Sequence, residues 1–330
     1  MTGAIRLSRT VSDAVERGEP IVALESSVLA QGLPIPANRK AAHLMLDAVR
    51  SAGAMPAITA IVGGVPAAGL DEAELEHLLR RDGWSKVSAR DIPTAMVRKT
   101  GGATTVAAAL LIAREAGIEV FATGGIGGVH REPPHDESAD LVELSRSPII
   151  VVCAGAKSIL DLQATVERLE TLGVALIGYR TSELPGFFCA ETGILLDTCV
   201  ETTEEVADIF LAGRALGREA ALLVVQPPPA SDALPREIVE AAVERALISA
   251  REEGVRGAAV SPFLLAAVER ETDGRSLAAN LALLEANSRL AAEIAVSLAS
   301  RRGASGNREW GMGNRKWEIG NEEQGIGNST

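Results

Sequence analysis

Short apolar runs alternate with amphipathic stretches along most of the chain. Ile21–Glu25, Ile58–Val62, Ile118–Ala122, Ile149–Val152, Val174–Gly178 and Ala221–Val225 are dominated by apolar residues, with no alternating polar face. That is the pattern of strands covered on both sides. Lys86–Ser88 is a shorter strand-like piece. Helical spacing predicts helices over Ala37–Ala52, Asp71–Arg81, Thr104–Ala116, Ser138–Arg146, Ser158–Leu172 and Thr203–Leu216, with Gly117 and Gly173 as stops. Two more, Pro235–Glu253 and Ser276–Ser300, follow the last strand. This alternation predicts an α/β fold: a single α/β/α layered domain with a mostly parallel central sheet and helices on both faces. No linker interrupts it, so residues 1–302 read as one domain.

Composition refines that picture. Aromatic residues make up only 3% of the chain. The core is therefore expected to use Val, Leu and Ile with close, Ala-mediated helix packing. After Arg302 a degenerate Gly-Asn repeat begins at Gly306, returning at Gly313, Gly320 and Gly327 without a periodic apolar face. Residues 303–330 read as a disordered, low-complexity tail with no part in the chemistry. The net charge of −12, without a Lys/Arg block, excludes a nucleic-acid footprint but leaves an anionic small substrate open. Three widely spaced cysteines, no signal-peptide pattern and no membrane-length apolar run predict a reducing, cytoplasmic setting.

The candidate chemistry gathers at predicted strand ends. Thr123–Arg131 (Thr-Gly-Gly-Ile-Gly-Gly-Val-His-Arg) follows a strand. Its glycines admit close backbone approach and positive φ, and Thr123, His130 and Arg131 add donors for a phosphate. The third glycine of a dinucleotide fingerprint is replaced by His130, which argues against nicotinamide binding. A tight strand–loop turn is the alternative. Lys157 stands in Ala154-Gly-Ala-Lys-Ser158 just past a buried strand. An imine-forming lysine there needs its pKa, ordinarily ~10.4, to fall toward ~7–8. Burial and a second cation such as Lys86 push that way. The same lysine reads equally as a loop cap or a phosphate-binding point charge.

Asp136 and Asp140 flank Ser138-Ala139. They are either helix N-caps or, with waters, a hard-cation site. Glu25 ends a buried strand, where a carboxylate needs a partner or serves as an acid/base. Gly102-Ala-Thr-Thr-Val106 is read as opening a helix whose amides favour anions.

Together the motifs Leu24-Glu25-Ser26, Gln31-Gly-Leu-Pro34, Lys86–Asp91, Gly102–Val106, Phe121–Arg131, Ser138–Asp140, Val151–Ser158, Leu169-Glu-Thr171, Ser261–Leu265 and Ser276-Leu-x-x-Asn280 resemble, in order, the pseudouridine-5′-phosphate glycosidase family, also called indigoidine-synthase-A-like. The resemblance covers about residues 5–300. It implies reversible cleavage of pseudouridine 5′-phosphate to uracil and ribose 5-phosphate by a cytoplasmic homotrimer with Mn²⁺ or another divalent cation such as Mg²⁺. By motif, Lys157 is the nucleophile forming an imine with ring-opened ribose, Glu25 the proton donor and Asp136 the metal ligand. Lys86, Val106, Ser138, Ala139, Asp140 and Asn280 line the substrate, with Thr123 and His130 from the glycine loop.

Two departures from the family pattern stand out. Glu132–His135 is shorter than the usual loop and is expected to reshape the rim of the site. Gly186 stands where alanine is commoner, an exchange expected to be neutral. Two other readings remain: a lysine-imine aldolase, and a non-catalytic phosphosugar-binding accessory protein.

Overall fold

A computed structural model describes residues 5–132 and 135–305. The Gly-Asn repeat from Gly306 and Pro133-Pro134 of the short loop lie outside them. In chain order the strands are β1 (Arg6–Leu7), β2 (Ile21–Leu24), β3 (Met55–Val62), β4 (Val65–Ala68), β5 (Trp84–Val87), β6 (Gly101–Thr104), β7 (Val120–Ala122), β8 (Val129–His130), β9 (Ile150–Cys153), β10 (Leu160–Asp161), β11 (Ala175–Tyr179), β12 (Cys199–Val200) and β13 (Leu222–Val225). One eleven-stranded sheet runs β1-β4-β3-β2-β7-β9-β13-β11-β12, with β6 attached to β3 and β5 to β6. From β3 to β12 every neighbouring pair is parallel; β4 and β6 meet β3 antiparallel. β8 and β10 form a separate antiparallel pair.

The expected mostly parallel sheet is therefore present, and its strands β2, β7, β9 and β13 are buried at every residue. The chain leaves β2 through helix Ala37–Ser51 toward β3, then leaves β7 through Ala139–Leu144 in the opposite direction, toward β9. Right-handed crossovers running in opposite directions put their helices on opposite faces. Contacts agree: the long helix Arg275–Ser305 packs on Ala37–Ser51, Thr203–Ala215 and strands β2, β7 and β9, while Val106–Glu115 packs on Ala139–Leu144. The buried faces of the first pair include Ala41, Ala42, Ala48, Ala291, Ala292 and Ala295, as the Ala-rich composition predicts.

Some elements differ from expectation. Of Gly102–Val106, read as opening a helix, Gly102–Thr104 belong to strand β6; the helix begins at Val106, capped by Thr105. Gly-Gly-Ala-Thr has weak strand propensity, but β6 lies where larger residues do not fit. A Cβ on Gly102 would collide with Val87 and press on Ile61 at 3.3 Å. Ser158–Leu172 divides into β10 and helix Leu162–Thr171. Helix Val260–Glu271 carries Pro262 in its first turn, where proline is tolerated, and the proline hides the helix in the sequence. The last helix continues to Ser305, past the change in composition at Arg302.

The strand order reverses between β2 and β7, the switch point of a doubly wound sheet, where a crevice opens at the carboxyl ends of strands. A buried hydroxyl network fixes this edge. Thr104 Oγ1 donates to the Thr59 carbonyl (2.9 Å) and accepts from the Ser26 amide (3.3 Å). Thr104 N donates to Ser26 Oγ (2.9 Å), and Thr59 Oγ1 donates to the Leu24 carbonyl (3.0 Å). The ends of β2 and β6 are thereby tied to the middle of β3 beside residue 25. Thr104→Val keeps the shape but strands buried polar groups, and is expected to destabilise the fold by ~1–3 kcal/mol. Urea denaturation measures this; an unchanged midpoint counts against the network.

Candidate active site

Glu25 follows β2 and Thr123 follows β7, so adjacent parallel strands deliver both to the switch point. Glu25 is 4% exposed. Its Oε1 accepts from Thr123 Oγ1 (2.5 Å) and its Oε2 from Ser27 Oγ (2.5 Å). The buried partner that a strand-end carboxylate requires is thus a pair of hydroxyls rather than a cation. Thr123 is held in turn by Asn287, whose Nδ2 donates to the carbonyls of Thr123 (2.8 Å) and Gly124 (3.2 Å) while Oδ1 accepts from Gln226 Nε2 (2.9 Å).

Lys157 lies past β9, after the turn at Gly155 (φ +85°). A Cβ on Gly155 would collide with the Pro185 carbonyl, so the turn both needs a positive φ and forbids a side chain. Lys157 N donates to the Ile126 carbonyl (3.1 Å), docking the lysine segment on the glycine loop. The side chain is half-buried.

Lys86, on β5, completes a charged cluster. Lys86 is exposed, though neighbouring protein partly desolvates its ammonium group. Burial lowers its pKa below the ordinary 10.5, Lys157 pushes the same way, and Glu25 and Asp140 oppose. The pKa of His130 is also pulled down by burial; Asp136 opposes this, while Lys157 and Lys86 reinforce it. Glu25, Lys86, His130, Asp136, Asp140 and Lys157 therefore share one electrostatic neighbourhood. Cys153, beneath them, is fully buried with its thiol pushed up to about 12, so it is inert.

The glycine loop works differently from expectation. None of Gly124, Gly125, Gly127 and Gly128 has positive φ. Their hydrogens instead face protein: a Cβ on Gly125 would reach Phe187 at 2.6 Å, one on Gly127 would strike Ser138, and one on Gly128 would strike Thr165. Asp140 uses the space thus cleared. Its Oδ2 accepts from Gly127 N (2.8 Å) and its Oδ1 from Ala107 N (2.9 Å), joining the loop to the start of helix Val106–Glu115. Asp140 is a strut, 5% exposed, with both oxygens occupied by amides. Neither Asp136 nor Asp140 is an N-cap; Ser138 caps helix Ala139–Leu144, accepting from Asp140 N (3.2 Å). Ala139 is exposed at the first turn of that helix. Val106 is buried, so only its backbone is placed to meet a ligand.

Asn280 lies on helix Arg275–Ser305, on the same buried face as Asn287. It lines a cavity of about 210 Å³ with Gln31 and Arg81. A larger cavity, about 620 Å³, is lined by Arg131, Ser158 and Cys189. Neither is lined by Glu25, Lys86 or Lys157, so converging charge rather than volume marks the site. Gly186 is not neutral here: a Cβ would meet Cys189 Sγ at 2.5 Å and Thr192 Cγ2 at 2.9 Å. Sequence reading also passed over Ser27 and Asn287. Asn287 carried a usable signal: it shares the buried face of Asn280, Leu283, Leu284 and Ala291.

A doubly wound, mostly parallel sheet with acid, hydroxyl and two lysines at its switch point defines an α/β enzyme scaffold acting on a small anionic substrate. Residues 10–297 match the model of the family described as indigoidine synthase A like protein, and the chain belongs to that family. A pseudouridine-5′-phosphate glycosidase of Gemmatimonas aurantiaca is 61% identical over 89% of this chain and 96% of its own. One from Chloroflexus aurantiacus is 49% identical over 89% and 98%. Among solved structures, the prealnumycin C-glycosynthase AlnA in complex with ribulose 5-phosphate superposes with a TM-score of 0.85 at 37% identity, covering 92% of this chain and 100% of that one.

Glu143 offers a pH test of this region. It is buried on helix Ala139–Leu144, and its Oε2 has no hydrogen-bond partner among the described residues. Burial raises its pKa above 4.5 against the pull of Arg146 and Arg114. The folded state therefore keeps a proton that the unfolded chain releases first, and stability falls as pH rises from about 4.5 through the folded pKa. Glu143→Gln is expected to raise the urea midpoint at pH 7.5 and to leave it unchanged at pH 4. An equal gain at both pH values would assign the effect to packing.

Proposed function

We propose that this protein cleaves and forms the C–C glycosidic bond of pseudouridine 5′-phosphate, with uracil and ribose 5-phosphate as the other pair of reactants. One observation carries the reading: a buried, hydroxyl-clamped Glu25 shares a strand-end crevice with Lys86 and Lys157. The relatives' printed activity and the phosphosugar in the AlnA complex support it.

A carbon leaving group resists the two-carboxylate route of ordinary glycosidases, because its electrons need a sink. Opening the sugar breaks C1′–O4′, with a proton passed to O4′ by Glu25. Lys157 Nζ then bonds to C1′. As the nitrogen lone pair forms an iminium, C1′–C5 breaks and C5 takes a proton, releasing uracil; water hydrolyses the imine to free ribose 5-phosphate. Thr123 and Ser27 hold both Glu25 oxygens in place for those transfers. Lys86 and His130 face the anionic sugar, and the backbone at Val106 and Ser138–Asp140 borders it.

Asp136 is proposed to hold Mn²⁺ or Mg²⁺. No cluster of three or more His, Cys, Asp or Glu able to cage a metal occurs among the described residues. A lone carboxylate fits a hydrated hard cation that takes its remaining ligands from water and substrate oxygens. Such a cation supplies charge that orients and polarises the substrate. A cytoplasmic homotrimer belongs to the same proposal, supported by the family resemblance and by three free cysteines. No helix among the described residues is long and apolar enough to cross a membrane.

Incubation with Mn²⁺, ribose 5-phosphate and uracil is expected to give pseudouridine 5′-phosphate. Borohydride is expected to trap a ribosyl adduct on Lys157 by mass spectrometry. Lys157→Ala should lose activity on the order of 10³-fold or more, together with the adduct. Binding of ribose 5-phosphate without turnover or adduct in the wild type would point to the accessory-protein reading. For Glu25→Gln, kcat is expected to fall by roughly 10²–10⁴-fold; full activity in that variant removes Glu25 from proton transfer.

A further inference from the structure

Arg131, read from the sequence as a phosphate donor, directs its guanidinium at the protein instead. Nε donates to the Leu160 carbonyl (3.1 Å) and Nη2 to the Ser158 carbonyl (3.1 Å). Nη1 and Nη2 also donate to the Glu240 carboxylate, at 3.1 and 3.3 Å. A guanidinium offers two edges that can grip a pair of oxygens side by side. One edge of Arg131 holds the two carbonyls and the other holds Glu240. Neither is left for a phosphate.

The two carbonyls belong to the turn that carries Lys157. That segment, Ala154-Gly-Ala-Lys-Ser158, bends at Gly155 with positive φ, and its small neighbours offer little to fix the lysine. Hydrogen bonds do so instead. Lys157 N donates to the Ile126 carbonyl (3.1 Å), and Leu160 N donates to the Lys157 carbonyl (3.0 Å). Past the turn, β10 pairs with β8, with Leu160 opposite His130. Arg131, one residue beyond β8, takes the carbonyls on either side of Ile159. Its far side is anchored on helix Arg236–Glu252, which carries Glu240 and whose Arg251 pairs with Glu132 (3.0 Å). The Lys157 turn is thereby held between the glycine loop and that helix.

We propose that Arg131 is a positioning residue for Lys157. It fixes the turn so that Nζ meets C1′ of the open sugar, where Nζ adds to the aldehyde carbon and water leaves as the imine forms. This role rests on the glycosidase reading, and it requires no contact between Arg131 and the substrate. Lysine cannot replace the arginine, because a single ammonium lacks the planar fork that holds two carbonyls and a carboxylate at once.

The test compares Arg131→Lys and Glu240→Gln with the wild type. It follows the rate at which borohydride traps an adduct on Lys157, with ribose 5-phosphate and with ribose, in the presence of Mn²⁺. Arg131→Lys is expected to slow trapping by roughly ten- to a hundredfold with both sugars alike, the loss that a misplacement of about 1 Å brings. It should lower kcat and leave the KM for ribose 5-phosphate unchanged. Glu240→Gln keeps both carbonyl bonds and is expected to show the same pattern at smaller size. Amide hydrogen exchange over residues 155–161 should be faster in both variants. A loss confined to ribose 5-phosphate, with a raised KM, makes Arg131 a phosphate ligand and overturns the proposal. Wild-type trapping in a folded Arg131→Lys, or in Glu240→Gln where the lysine variant does not fold, overturns it as well. Failure of the glycosidase reading looks different: the wild type itself forms no adduct, while exchange over residues 155–161 still rises in the variants.

Discussion

A carboxylate that is 4% exposed at the end of a parallel strand has lost most of its hydration, and leaving it unpaired would be strongly unfavourable. Glu25 is satisfied by two hydroxyls, one from the next strand and one from its own turn. That choice shapes the surrounding structure. Thr123 has to sit on the strand beside β2, which places the reversal of strand order at this point. Its backbone has to be pinned, and Asn287 reaches across from the longest helix to do so. Ser26, Thr59 and Thr104 lock the other side. The polar groups therefore form linked, satisfied networks inside an otherwise aliphatic core, the condition under which buried polarity adds rigidity.

Close approach is the second organising feature. Gly125, Gly127 and Gly128 lack side chains because Phe187, Ser138 and Thr165 occupy that space. The loop can then present its amide to Asp140, and Asp140 ties it to the helix that begins at Val106. A residue that resembles a ligand by motif is here the brace that sets the positions of two backbone segments around the crevice. The same crowding explains Gly186, whose neighbours Cys189 and Thr192 leave no room for alanine.

Much of this was legible in the chain. Apolar runs marked β2, β7, β9, β11 and β13 to within a few residues, because strands buried on both faces carry a strong local signal. The positions of Glu25, Thr123 and Lys157 followed from being next to those runs. What stayed hidden depended on tertiary contacts. β6 is built of Gly-Gly-Ala-Thr, and only the proximity of Val87 and Ile61 makes that composition sensible. The division of Ser158–Leu172 reflects pairing of Leu160 with His130, thirty residues earlier in the chain. The hydroxyl clamp on Glu25 joins residues far apart in sequence, and no spacing rule reveals it. Asn280 was singled out by motif, and it lines a cavity of about 210 Å³ with Gln31 and Arg81.

The electrostatics of the site follow from where the acids direct their hydrogen-bonding capacity. The protein carries a net charge of −12, yet Lys86 and Lys157 form no ion pair among the described residues. Glu25 and Asp140 are near enough to raise the Lys86 pKa, but their oxygens are taken by hydroxyls and amides. The acids thus temper the repulsion between two neighbouring ammonium groups without quenching either one. Had either carboxylate bound a lysine directly, that lysine would be held in its charged form and turned away from the crevice. Satisfying the acids with neutral donors keeps both amines available to an incoming anion, and it does so inside a protein whose overall charge would repel one.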